Sequence, residues 1–180
     1  MNEKKIVCFH GTDESNGYLS NWHKSRFCVG GTQYTSMEQY MMEQKATLFG
    51  DYETRAEILN EHDPAKIKKL GRKVKNYDER IWSGMRQPLV SFGLLEKFRQ
   101  NAVLLHMLLD TGEAILVECA VHDSIWGIGL SMQDPNRLDM TKWRGKNLLG
   151  YSLMAVRQYL KAEEESMDIE RILRNTPLFP

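Results

Sequence analysis

The chain has 180 residues, 42% of them hydrophobic, which suffices for one ordinary core and makes a single domain the default. Lys plus Arg and Asp plus Glu number 24 each, so the formal net charge is zero and no overall positive field holds a polyanion by charge alone. Three scattered cysteines (Cys8, Cys28 and Cys119) without a CxxC pair argue for a reduced compartment, and the lack of an apolar leader or a run of roughly 18 apolar residues makes a cytoplasmic protein the expectation.

In chain order, Lys5 to Phe9 is an apolar run of strand length, and Arg26 to Tyr34 reads as two short strands around Gly30-Gly31, a dipeptide suited to a tight hairpin. Helical periodicity follows over Ser36 to about Leu48, Asp51 to Glu61, Pro64 to Leu70, Asp78 to Asn101 and Ala102 to Asp110; Pro88 is expected to break or kink the fourth of these. Ala114 to Ala120 is a further strand, and Lys146 to about Lys161 a last amphipathic helix. The stretch from His122 to Arg144 is a long loop, a place where functional residues concentrate. Residues 1–161 read as the domain, and 162–180, with three glutamates and the segment Asp168 to Leu173, as a tail or peripheral helix.

Chemistry-bearing residues cluster in three places. In Tyr34 to Lys45 a strand end becomes a helix: Thr35 to Glu38 fits the capping-box spacing, a purely structural job, while a carboxylate in the first turn is also placed as a base or charge stabiliser near the positive end of the helix dipole. Lys45 returns seven residues later to nearly the same helix face, so an amine and a carboxylate can line one pocket; solvated surface is the plainer reading. In His122 to Gly129, Trp126 beside Gly127 offers a flat platform for a heterocycle, and Asp123 a partner for a ribose hydroxyl or a water; a turn aspartate before a core tryptophan is the alternative. Trp143 to Gly150 carries a Gly145-Lys146 turn into a helix, whose first amides could hold phosphate with help from Lys146, although a lone Gly-Lys is also a plain helix entry. Gly71-Arg72, and Trp82 with Arg86, are further candidates.

The run Leu19-Ser20-Asn21-Trp22, the Ser36 to Lys45 segment, Leu70-Gly71-Arg72, Trp82 followed by Lys97-Phe98, Glu118, the Asp123 to Gly127 loop and Gly145 to Gly150 with Leu153-Met154 together resemble the NADAR/YbiA-like N-glycosidase family, over roughly residues 7 to 161. The resemblance implies a compact single-domain α+β fold, mainly α with a small β element. It implies hydrolysis of the N-glycosidic bond between a phosphorylated ribose and the exocyclic amine of a heterocycle. The implied partners are a small phosphoribosyl or ADP-ribosyl substrate, in the first case a riboflavin-pathway ribosylamino-pyrimidine, or ADP-ribosylated guanine in nucleic acid. It calls for no cofactor, metal or membrane. By the same resemblance Glu38, Lys45 and Asp123 are the catalytic candidates, and Asn21, Arg72, Trp82, Arg86, Trp126, Gly127, Lys146 and Asn147 the substrate-binding ones. Met41 and Met42 after Tyr40 stand where many family members are aromatic. The rival expectation is a non-catalytic ADP-ribose or nucleotide-binding module, whose platform for phosphate, ribose and base would look alike.

Overall fold

A computed structural model describes residues 5–175, with side chains described through Met167. The architecture is mainly helical with two small two-stranded sheets. β1 (Ile6–Phe9) pairs in parallel with β4 (Ile115–Glu118), Phe9 opposite Glu118. β2 (Lys24–Val29) and β3 (Thr32–Ser36) form the expected hairpin, in which Gly30 and Gly31 take φ of 55° and 83°, the left-handed values that a two-residue turn requires at both central positions. The helices are α1 (Met37–Leu48), α2 (Tyr52–Asn60), α3 (Pro64–Gly71), α4 (Glu79–Arg99), α5 (Ala102–Leu109) and α6 (Leu148–Asn175).

α4 packs on both α1 and α6, and the main core gathers around Phe9, Phe27, Tyr34, Met37, Tyr40, Leu94, Phe98, Leu116 and Leu153. Close approach of α1 to its neighbours depends on two glycines: a Cβ on Gly71 would stand 1.9 Å from Met42 Sδ, and one on Gly93 2.3 Å from the Tyr40 ring. Met41 and Met42 are accordingly core residues of α1. Side chains alternate along β4, so Leu116 and Glu118 face the helical core while Val117 and Cys119 face a smaller cluster with Ile128 and Leu130.

Three expectations change. α4 runs through Pro88 without a break: the proline is exposed, Gly84 four residues back is exposed too, and the buried face through Trp82, Arg86, Val90 and Leu94 is continuous on either side. The lost hydrogen bond therefore lies on the solvent side, where water replaces it. α6 does not stop near Lys161 but continues to Asn175, because no Gly or Pro interrupts residues 162–175 and Glu163 pairs with Arg99 of α4 at 3.0 Å. The long loop contains two short 3-10 turns, Pro135–Leu138 and Met140–Lys142, each capped by an aspartate, Asp134 and Asp139. Among the described residues no helix is long and apolar enough to cross a membrane.

Candidate active site

The start of α1 decides what Glu38 is for. Ser36, not Thr35, is the N-cap, its hydroxyl accepting from the Gln39 amide at 3.2 Å. Gln39 then reaches back, its carbonyl oxygen accepting from the Thr35 amide at 2.8 Å while its amide nitrogen donates to the Ile58, Leu59 and Glu61 carbonyls. The box is thus shifted by one residue, and Glu38 is released from capping. Its backbone N–H donates to the Asn21 carbonyl at 2.8 Å, and its side chain, only 2% exposed, carries a buried Oε1 with no hydrogen-bond partner. Burial pushes this carboxyl up from 4.5 to about 7; Lys68, the Trp22 indole and Arg72 oppose the rise and Asp123 adds to it.

Three segments bring groups to Glu38, namely Asn21-Trp22, the end of α3 and the Asp123 loop, and the end of β4 shares Lys68 and Asp123 with it. Asn21 is 6% exposed with an unpartnered Oδ1, and Trp22 beside it is 38% exposed. Lys68 of α3 places its ammonium 5.8 Å from the Trp22 ring and 3.9 Å from Asp123 Oδ2. Asp123 uses its other oxygen to hold its own loop, accepting from the Trp126 amide at 2.8 Å and the Ile125 amide at 3.1 Å. Trp126 is half-buried against the main core, and Gly127 is buried where a Cβ would lie 2.8 Å from both Ala120 Cβ and the Glu118 carbonyl. At the end of β4, Glu118 is 6% exposed; its Oε1 lies 2.7 Å from His10 Nδ1 and its Oε2 is buried without a partner. Burial raises the Glu118 carboxyl while His10 and Lys68 pull it down.

Lys45 occupies a different setting. Its ammonium donates to the Gly71 carbonyl at 2.8 Å and lies 4.1 Å from the Tyr77 ring and 5.9 Å from the Trp82 ring. Desolvation lowers its pKa, Glu79 opposes that and Arg86 adds to it. Trp82 and Arg86 are buried, at 5% and 6% exposure, and Arg86 pairs with Glu79 at 2.6 Å. Seven residues of helix separate Lys45 from Glu38 by about 10.5 Å along the axis. The Gly71-Arg72 turn of α3 links the two, Gly71 bonded to Lys45 and the exposed Arg72 acting on Glu38.

The Asn147 side chain and the backbone amides beside it are engaged by the scaffold. Asn147 is fully buried at φ 52°, its side chain accepting from the Glu118 amide at 3.1 Å and donating to the Leu116 carbonyl at 2.9 Å, so it pins β4 to the start of α6. The amides of Lys146, Asn147, Leu148 and Leu149 already donate to the Ser124, Gly127, Ile125 and Trp126 carbonyls, so these four are not available to a phosphate. Lys146 itself is exposed. Conversely, Lys68 and His10 are not among the sequence candidates. The signals for them were the i, i+4 spacing of Lys68 and Arg72 and the position of His10 just beyond β1. Among the described residues no group of three or more His, Cys, Asp or Glu is placed to hold a metal ion.

The model of the NADAR domain family matches residues 8–161. The chain is 40% identical over 166 residues to N-glycosidase R617 of Acanthamoeba polyphaga mimivirus, covering 88% of this chain and 98% of that protein. It is 32% identical over 155 residues to a riboflavin biosynthesis protein of Vibrio vulnificus strain YJ016, covering 86% of this chain and 38% of that one. The NMR structure of the Escherichia coli protein YbiA superposes with a TM-score of 0.75 at 30% identity, covering 91% of this chain and 89% of that one.

Proposed function

The chain belongs to the NADAR family, and on that premise we propose that it is an N-glycosidase that cleaves the bond between a phosphorylated ribose and the exocyclic amine of a heterocyclic base. The observation that carries this is Glu38: a buried carboxyl with one free oxygen, facing Lys68, Arg72, Asp123 and an indole, and relieved of helix capping by Ser36 and Gln39. Cleaving such a bond builds positive charge on the ribose carbon as the amine departs, and a carboxylate beside that carbon stabilises the charge or takes the proton of the attacking water. A group held near pH 7 is populated in both protonation states at neutrality, which suits proton transfer.

Around that centre, Trp126 and the exposed face of Trp22 offer the flat surfaces on which a base stacks, and the unpartnered Asn21 Oδ1 and the Lys68-paired oxygen of Asp123 are the acceptors offered to ribose hydroxyls. Lys68 and Arg72 supply positive charge for phosphate. Lys45, half-desolvated among Tyr77, Trp82 and Arg86, serves one of two routes. In the first, its amine attacks the opened ribose, displaces the base amine as a Schiff base and is released by water. In the second, water attacks directly and Lys45 binds the substrate beyond the reacting carbon. Two substrates share the required chemistry, a riboflavin-pathway ribosylamino-pyrimidine 5-phosphate and ADP-ribose on guanine in nucleic acid. The name of the Vibrio relative and the zero net charge favour the small molecule.

Incubation with each substrate, followed by chromatography for free base, tests this. Release of the pyrimidine is expected; release from modified guanine alone would transfer the activity to nucleic acid. Tight binding with no base released from either would make the chain a binding module.

A further inference from the structure

Two titratable side chains meet at the C-terminal ends of the paired strands β1 and β4. His10 Nδ1 lies 2.7 Å from Glu118 Oε1, with the imidazole side chain 54% exposed and the carboxylate side chain 8% exposed. The register of Phe9 opposite Glu118 puts His10 one residue past the pairing, and the alternation of β4 turns Glu118 toward the helical core that carries α1. The second carboxylate oxygen, Oε2, is buried and unpartnered, as is Oε1 of Glu38. The Asp123 loop joins the two: its Gly127 packs on the Glu118 carbonyl, its carboxylate lies 3.9 Å from Lys68, and Lys68 and Asp123 act on both carboxyls. A path thus leads from solvent through the imidazole to a carboxyl whose inner oxygen lacks a protein partner.

Hydrolysis of an N-glycosidic bond has two proton demands: the attacking water must lose a proton, and the departing nitrogen must gain one. Glu38 fills one of them. We propose that Glu118 and His10 act as a unit that holds one proton and delivers it from Glu118 Oε2 to the leaving amine, and that His10 then restores it from solvent. This rests on the N-glycosidase assignment. As the carbon–nitrogen bond breaks, its electron pair stays on nitrogen, which takes the Glu118 proton. Hydroxide from water joins the ribose carbon while the water's proton goes to Glu38. Proton return from Glu38 to solvent, and from solvent through His10 to Glu118 Oε1, followed by a half-turn of the carboxyl that brings the proton to the Oε2 position, resets the site with one water consumed. Glu118 is the catalytic residue here, and His10 acts through it.

The electrostatics agree. The Glu118 carboxylate raises the His10 pKa above 6.5, chiefly through the hydrogen bond, while Lys68 opposes and Glu14 assists. Burial and Asp123 raise Glu118, and His10 and Lys68 oppose. A pair sharing one proton titrates as a unit, so it keeps that proton at a pH where a lone carboxyl would have lost it.

The test compares a ribosylamino-pyrimidine 5-phosphate, whose leaving amine needs a proton, with 4-nitrophenyl riboside 5-phosphate, whose nitrophenolate does not. Glu118→Gln should lose at least about 100-fold in kcat on the first and less than about fivefold on the second. His10→Gln, an exposed change that leaves the fold alone, should move the alkaline limb of kcat to lower pH on the first substrate only. Equal losses on both substrates, no loss on either, or an unmoved alkaline limb would overturn the assignment of the pair. Should Glu118→Gln fail to fold, the His10→Gln profile decides alone. A wild-type protein that releases no base from any N-riboside would instead defeat the N-glycosidase assignment, and this inference with it.

Discussion

A buried carboxyl whose pKa is raised by folding penalises the fold once it ionises, and Glu38→Gln measures that penalty. The unfolded chain loses the Glu38 proton near 4.5, whereas the folded chain keeps it to about 7. Its contribution to stability is therefore fully present below pH 4.5 and is lost as pH rises through 7. At 1.36 kcal/mol per unit, the interval corresponds to about 3 kcal/mol between pH 5 and pH 8. Glutamine matches the protonated carboxyl in shape and does not titrate. The measurable quantity is the stability difference, Glu38→Gln minus wild type, which should rise by about 3 kcal/mol from pH 5 to pH 8. For a chain of this size that is a relative gain of about 6–12 °C in melting temperature. Urea denaturation of both proteins at the two pH values provides the check. Parallel pH dependence would mean that the carboxylate is adequately solvated or paired, and a variant that loses ground at pH 8 would make Glu38 a structural partner of Lys68.

Trp126→Ala should weaken substrate binding by about 1–3 kcal/mol in a direct titration, the usual loss of one stacking partner; unchanged affinity with a sharply lower melting temperature would place the indole in the core alone. Asn147→Ala should cost about 2–4 kcal/mol in urea denaturation, because it strands the Leu116 carbonyl and the Glu118 amide. A raised KM with undiminished stability would instead return Asn147 to the substrate. Borohydride added during turnover should leave a reduced sugar adduct on Lys45 if the Schiff-base route operates, detectable by mass spectrometry. The absence of an adduct, with a Lys45→Arg variant that turns over normally, would leave the chemistry to Glu38 and water.

Most elements were legible because their signals are local: Gly30-Gly31 marked the hairpin, and apolar spacing marked each helix. What was not legible required knowing which face met which neighbour. Pro88 reads as a breaker until the helix is seen to keep the proline on its wet side. The capping box at α1 could be placed one residue too early because Thr35 and Ser36 are chemically alike, and only the Gln39 side chain, anchored on the α2 carbonyls, settles the register. That one-residue shift is what frees Glu38. Asn147 was assigned to the substrate by the resemblance alone, and nothing local in the sequence shows β4 lying across the start of α6, where the side chain bonds the Leu116 carbonyl and the Glu118 amide. Lys68 and His10 carried only weak local signals, because their partners Asp123 and Glu118 lie 55 and 108 positions away in sequence.

The central claim is that an ionisable Glu38 turns over a phosphoribosyl amine. Its most direct test is a single-turnover assay of wild type and folded Glu38→Gln on the ribosylamino-pyrimidine 5-phosphate, with free pyrimidine quantified against time. Loss of at least about 100-fold in rate with substrate affinity retained is the expected result. Base release by Glu38→Gln at the wild-type rate would contradict it.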